Sequence, residues 1–282
     1  LGAVGLVDLD AGPGGVGKSA LARQYAIAYA EFYAAGGVWE LKCAGKQSLA
    51  EVLDQLDEQP GLRRRGFSLE SYPEAGRKQR LRETLAQLKR LTATRANFIY
   101  NPKKFLLPKD IRQAPARMLL ILDGMDQTEL LAAEELGLIA AEDWLSVVVT
   151  TRMSPEIFGA SSSLYRLEIP PLNQREGEEL LRTLMPDEMF LDASEAVAAA
   201  NLVDAVGGHA LSLEVIGAFV CNNWRAGARL SKILNLLSKR GIALIDSMAA
   251  KCEVQGKINY YFRPGEQIMG QLNQIVSGNQ SQ

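Results

Sequence analysis

The chain predicts an α/β fold in which a five-stranded parallel sheet carries a phosphate-binding loop and is followed by a small helical domain. Three observations predict it. A Gly-rich octapeptide, Gly12-Pro13-Gly14-Gly15-Val16-Gly17-Lys18-Ser19, lies between an apolar run, Val4 to Leu9, and a helix-forming stretch, Ser19 to Ala30. A second apolar run, Met118 to Leu122, ends in Asp123 about 100 residues later. A third, Ser146 to Thr151, is β-branched over most of its length and ends in Arg152. Strands that are apolar throughout suit a parallel sheet covered on both faces, and their polar C-terminal residues then meet at one edge.

The octapeptide fits G-x-x-x-x-G-K-[ST] at every fixed position. Glycines let successive backbone N–H groups curl around a β-phosphate, Lys18 reaches the β and γ oxygens, and the Ser19 hydroxyl can ligate Mg²⁺. The helix that follows puts the phosphate at a helix N-terminus. Gly12, Gly14, Gly15, Val16, Gly17, Lys18, Ser19 and Ala20 are the candidate nucleotide-binding residues. Strand-end Asp123 is the candidate metal carboxylate, with Ser19 as the second metal ligand. The residue after it is Gly124, where strongly hydrolytic relatives often carry an acid that polarises water; Asp126 lies two residues further on. Arg152 can meet a γ-phosphate, and Lys18, Asp123 and Arg152 form the candidate catalytic set. Pairing of Arg152 with a surface carboxylate is the alternative.

Leu164 to Ile169 forms one more short apolar run before Pro170-Pro171, and is expected to close the sheet. The nucleotide-binding domain then spans residues 1–171. From Gln174 the pattern is helical: Glu178 to Leu184 suits one helix, Glu195 to Val206 a second stopped by Gly207-Gly208, and Ala210 to Val220 a third. A helical domain is expected over 172–240, and a linker leading into a winged-helix domain over 241–282. His209 reads as part of a helix start rather than as a catalytic base.

Formal net charge is −2, but its distribution is lopsided. Between Arg63 and Arg117 there are 15 Lys and Arg against 4 Asp and Glu, a balance of +11 that leaves −13 for the rest. Leu81, Leu85, Leu88 and Leu91 recur at helical spacing among Arg77, Lys78, Arg80, Arg82, Lys89 and Arg90, so the block reads as an amphipathic helix with a solvated basic face. A polyanion surface is the alternative. Ala96 to Pro115, with Pro102, Pro108 and Pro115, reads as a long loop. Cys43, Cys221 and Cys252 include no C-x-x-C pair, which argues against a disulfide framework or zinc site and for a reducing, cytoplasmic setting. No apolar run reaches the ~20 residues that span a bilayer. The chain begins at Leu1 and enters a strand almost at once, so it is expected to be an excerpt.

The set Gly14-Gly15-Val16-Gly17-Lys18-Ser19, Leu119-Leu120-Ile121-Leu122-Asp123, Thr150-Thr151-Arg152 and Gly207-Gly208-His209-Ala210-Leu211-Ser212-Leu213 resembles, in this order, the NB-ARC branch of the STAND signalling ATPases. The resemblance covers roughly residues 1–235. Gly36-Gly37-Val38-Trp39-Glu40-Leu41 is similar to that family's second strand, and Pro171-Leu172 to Leu181 to its P-L-x-x-x-E-x-x-x-L-L run. The resemblance implies an ADP or ATP held as a conformational latch, with Lys18 and Ser19 at the phosphates and Mg²⁺, Asp123 at the metal and Arg152 at the γ-phosphate. The family's adenine-packing Pro is Ala210 here, which implies altered contact at the base. The family's upstream G-R segment and downstream M-H-D-like motif are not present.

The expected function is therefore a nucleotide-gated switch in a signalling, defence or regulatory protein, with slow ATP hydrolysis. No N-K-x-D or T-K-x-D guanine signature occurs, so adenine is the expected base. Expected partners are effector and sensor domains outside this segment and further copies of the chain on activation, with neither membrane nor nucleic acid. An ATP-driven nucleic-acid remodeller is the alternative function, favoured only by the basic block. A degenerate scaffold is disfavoured by the intact Lys18, Ser19 and Asp123.

Overall fold

The computed structural model describes residues 3–8, 14–69, 76–99, 117–130, 133–153, 165–241 and 243–254. Contacts divide the chain into two compact units, the first holding β1 and Lys18 through Glu168, the second running from Ile169 and taking the loop residues up to Gly17.

In the first unit the strands are β1 (Ala3–Asp8), β2 (Gly37–Lys42), β3 (Met118–Asp123), β4 (Leu145–Thr150) and β5 (Tyr165–Ile169). Their order across the sheet is β2-β3-β4-β1-β5. Pairing is parallel and in defined register for β2 with β3, β3 with β4 and β1 with β4. Strand β4 thus separates the strand that feeds the glycine loop from the strand that ends in Asp123. Met118 to Leu122 are almost wholly inaccessible, as a continuously apolar run must be when strands flank it and helices cover both faces. Strand β5 differs: Tyr165 and Leu167 are exposed, and the short run expected to close the sheet alternates with Arg166 and Glu168.

Helix α1 (Lys18–Ala28) follows the glycine loop; α2 (Leu49–Asp54), α3 (Pro60–Arg63), α4 (Arg77–Ile99) and α5 (Ala133–Ala140) are the other α-helices among the unit's described residues. Ser48 caps α2 by accepting from the Glu51 N–H, the signature of a helix start. Leu81, Leu85 and Leu88 of α4 are buried against Leu53, Leu62 and Phe67, while Arg77, Lys78, Arg82 and Arg90 face water. Two of its cations are engaged within the unit, Arg80 with Asp54 at 2.8 Å and Lys89 with Glu142 at 3.1 Å. The helix continues through 96–99, where a loop was expected. No proline lies between Arg77 and Pro102, so nothing interrupts its hydrogen-bond ladder there. The rest of that expected loop, 100–115, lies outside the described residues.

The second unit is helical among its described residues: α6 (Gln174–Leu184), α7 (Ala193–Ala205), α8 (Ala210–Asn223), α9 (Leu230–Arg240) and α10 (Ala243–Val254). Asn173 and Glu176 form a reciprocal capping box at the start of α6. Leu181, Leu202, Leu213, Ile216 and Ile245 share one core. Helix α10 occupies what the sequence suggested was a linker, because Leu244, Ile245, Met248 and Ala249 recur at helical spacing and are buried. Residues 255–282, the rest of the segment expected to lead into a winged-helix domain, lie outside the described residues.

Glu195, in the first turn of α7, is buried, and its carboxylate serves as the N-terminal cap of α9, whose own N-cap residue Arg229 makes no side-chain cap. It accepts from the Leu230 N–H at 2.7 Å and from the Ser231 hydroxyl at 2.5 Å. Glu195→Ala leaves the buried Leu230 N–H and the partly buried Ser231 hydroxyl without this partner and is expected to destabilise this unit by about 2 kcal/mol. Urea unfolding followed by helical circular dichroism reads this as a lowered midpoint; an unchanged midpoint would show the cap to be energetically idle.

Candidate functional site

Every strand of a parallel sheet delivers its C-terminal residue to the same edge, and here that edge gathers Lys42, Asp123 and Thr150. Asp123 is the hub. One carboxylate oxygen, Oδ1, accepts from the Ser19 hydroxyl in a short hydrogen bond that joins residues 104 apart in sequence, and from the Thr150 hydroxyl at 2.8 Å. The other, Oδ2, takes the Lys42 ammonium at 2.6 Å. Burial alone would raise the Asp123 carboxyl, but the hydrogen bonds from Lys42, Ser19 and Thr150 together outweigh it and hold the group below the ordinary Asp value. Asp123 is accordingly a carboxylate at neutral pH.

The cluster extends along β2. Lys42 also donates to Glu40 Oε1 at 2.7 Å, and Glu40 is gripped by Arg23 of α1 through Nε at 2.9 Å and a terminal nitrogen at 2.7 Å. The Arg23 fork first, with Lys42 adding to it, lowers the Glu40 carboxyl despite its partial burial. Burial would depress the Lys42 ammonium, yet Asp123 and Glu40 reverse this and raise it. Positive and negative groups therefore alternate from Arg23 through Glu40 and Lys42 to Asp123.

Gly124 adopts φ 72°, and its N–H donates to the Thr150 hydroxyl at 2.9 Å. The chain thus turns sharply as soon as β3 ends, in a left-handed conformation that glycine adopts without strain. Asp126 does turn back toward a site residue: its carboxylate accepts from the Arg152 backbone N–H at 2.8 Å and from Arg152 Nε at 2.9 Å, with a terminal guanidinium nitrogen at 2.7 Å. Of the two arrangements open for Arg152 from sequence, the structure contains the carboxylate pair.

The glycine loop has the conformation its composition requires. Gly15 and Gly17 both lie at φ 109°, which side chains other than hydrogen rarely adopt. Lys18, buried, and Ser19 open α1 with Ala20 exposed behind them; Val16 is buried. Gly12 lies outside the described residues. Within the helical unit, Leu211 donates its N–H to the Gly15 carbonyl at 3.0 Å, and Ala210, the residue before it, is the first of α8. His209 is fully buried, with Nε2 3.0 Å from the Gly14 carbonyl and Nδ1 2.8 Å from the Ser212 hydroxyl. A carbonyl can only accept, so Nε2 carries a proton, and in the neutral ring Nδ1 receives the Ser212 hydroxyl proton. His209 is thus a helix-start residue, as expected, and in addition a direct partner of the glycine loop.

Sequence reasoning singled out Lys18, Ser19, Asp123 and Arg152 but not Lys42, Glu40 or Arg23. The signal for Lys42 was present as a lone cation closing the strand Gly37-Val-Trp-Glu-Leu-Lys42, yet its meaning depends on β2 pairing in register with β3, Lys42 opposite Asp123. The side chains on the Asp123 carboxylate offer oxygens apart from Lys42, the set that suits Mg²⁺: the Ser19 hydroxyl and the Asp123 carboxylate already touch, and a nucleotide phosphate would supply further oxygens. Among the described residues no cluster of His, Cys, Asp and Glu forms a separate metal site, and no helix is long and apolar enough to cross a membrane.

No family model matches the chain, and no curated protein sequence matches it either. Solved structures do. The chain is similar to the Walker-type ATPase PABY2304 of Pyrococcus abyssi, with a TM-score of 0.53 and 16% identity over 90% of this chain and 71% of that one. A weaker likeness, TM-score 0.40 and 14% identity over 94% of this chain and 64% of the other, is to the structure of Drosophila ORC bound to DNA. With the glycine loop, the parallel sheet and the strand-end aspartate in place, the first likeness shows that this chain has the fold of a phosphate-loop NTPase.

Proposed function

We propose that the chain is an adenine-nucleotide-gated switch module: it holds ATP or ADP with Mg²⁺, hydrolyses ATP slowly, and passes the difference to effector and sensor domains elsewhere in its protein. One observation carries this above the rest. The Ser19 hydroxyl and the Asp123 carboxylate are in contact although 104 residues separate them, which is the pairing a phosphate-bound Mg²⁺ requires of a loop and a strand end. When bound, the metal would neutralise phosphate charge. The remaining work falls to the chain: Gly15 and Gly17 turn loop amides toward the phosphates, Lys18 supplies a full positive charge, and Ser19 and Asp123 orient the oxygens around the ion.

Slow turnover is the expected consequence of two local facts. Gly124 has no side chain to accept a proton from an attacking water. Asp126, the next acid along, already shares its carboxylate with Arg152. Arg152 would act at the γ-phosphate by exchanging that partner, so ATP and ADP would leave it in different places, the kind of two-state element a switch needs. The NB-ARC-like motif order and the expectation of homo-oligomers on activation extend the same proposal. The nucleic-acid alternative rests on the α4 cations that face water, Arg77, Lys78, Arg82 and Arg90, since Arg80 and Lys89 are paired inside the unit.

Equilibrium titration of the purified chain with a fluorescent ADP analogue tests the proposal. Saturable binding that strengthens with Mg²⁺ is expected; absence of binding at millimolar nucleotide would reject it.

A further inference from the structure

We infer that Lys42 is a resident cation on Asp123, holding the carboxylate oxygen that a divalent ion would take and yielding it by moving onto Glu40. The inference rests on the nucleotide proposal and adds to it a built-in competitor for the metal. Its basis is an oxygen count. Asp123 Oδ1 is occupied by Ser19 and Thr150, and Oδ2 by Lys42 at 2.6 Å, so protein donors engage both oxygens of the strand-end carboxylate proposed to hold the metal.

The placement of Lys42 is built rather than incidental. It ends β2 in register with Asp123, which ends β3, so backbone pairing fixes both side chains at the same edge. Cys43 reinforces the pairing, its N–H donating to the Asp123 carbonyl at 2.9 Å. Glu40 precedes Lys42 by two residues and so shares its face of the strand, with Oε1 2.7 Å from the ammonium. Arg23, one and a half turns into the helix that Lys18 and Ser19 open, anchors Glu40. Lys42 thus has an alternative anion already in contact. The Lys42 side chain keeps 41% of its surface exposed against 14% for Asp123, so the ammonium has room to move where the carboxylate does not. A resident cation of this kind also offsets the repulsion between Asp123 and an arriving phosphate when no metal is present.

The proposal therefore has opposite signs in two conditions. Removing the Lys42 charge leaves Oδ2 open, so less Mg²⁺ is needed to support nucleotide binding. Without Mg²⁺, the same change leaves the Asp123 charge uncompensated beside the phosphates, and nucleotide binds less well. A residue that merely stabilises the strand end would weaken binding in both.

The experiment measures fluorescent ADP binding to the whole chain across an Mg²⁺ titration and in excess EDTA, comparing the natural protein with Lys42→Met, Lys42→Gln and Lys42→Arg. For Met and Gln the half-saturating Mg²⁺ concentration is expected to fall about tenfold while ADP affinity in EDTA falls about fivefold, within the usual range of coupling between two bound groups. Arg keeps the charge and should stay near the natural value. Unchanged or raised Mg²⁺ requirement in both neutral variants, with ADP still bound, overturns the role of Lys42 and leaves the nucleotide proposal standing. Absence of ADP binding by the natural chain at every Mg²⁺ concentration overturns both.

Discussion

Lys18→Ala is expected to reduce ADP and ATP affinity by about 10² to 10⁴-fold, effectively abolishing binding at micromolar nucleotide. Lys18 is the first residue of α1 and is buried. There it adds a full charge to the partial charges of the loop amides and the helix N-terminus. Each charge-assisted hydrogen bond to a phosphate oxygen is worth about 1.5 to 3 kcal/mol, and two of them account for the stated loss. Dipoles alone then remain in the loop. The check is the fluorescent ADP titration repeated on the variant, with its unfolding midpoint measured alongside. Natural affinity in a folded Lys18→Ala protein would mean that phosphates bind elsewhere.

A comparable loss is expected from Gly15→Ala, for a reason that involves the helical unit. A β-carbon at residue 15 would stand 2.7 Å from His209 Nε2, 2.8 Å from His209 Cε1 and 3.0 Å from the Leu211 β-carbon. The ring cannot simply retreat, because Gly14 and Ser212 hold its two nitrogens. The backbone cannot relax in place either, since φ 109° costs a side-chain-bearing residue about 3 kcal/mol. The loop must therefore shift from the shape seen here, and ADP affinity is expected to fall about 10²-fold or more. Adding His209→Ala should recover about tenfold of this, by removing the clash with the ring but neither the Leu211 contact nor the strained φ. Gly15→Ala protein that binds ADP normally would show that the loop shape seen here is not the binding shape.

What could be read from the sequence and what could not divide along a physical line. The glycine loop, the apolar run before Asp123 and the β-branched run before Arg152 are local patterns, and each became the element expected. Leucine periodicity placed the buried face of α4, though the helix outran the loop expected at Ala96 because nothing before Pro102 breaks it. Partners across the sheet were a different matter. Lys42 meets Asp123 only because β2 and β3 pair in one register among several that the same apolar pattern allows. Arg152 and Asp126 lie 26 residues apart, and nothing in either segment names the other. His209 was legible as a helix start from the Gly207-Gly208 stop before it, but its bond to Gly14 spans 195 residues and belongs to tertiary structure.

The most direct measurement is the fate of one bound ATP. Purified chain is loaded with radiolabelled ATP and Mg²⁺ under single-turnover conditions, and bound nucleotide is followed over time, in the natural protein and in Asp126→Asn. Enzymes commonly turn over at about 1 to 10³ per second, and loss of a positioned general base removes about 10² to 10⁴ of rate. Conversion to ADP at about 10⁻² per second or slower, with the ADP retained and Asp126→Asn within about threefold of it, is the result a slow switch predicts. Several turnovers per second with free release of ADP would contradict it, and a robust activity lost in Asp126→Asn would make Asp126 the water-activating acid and this chain a motor.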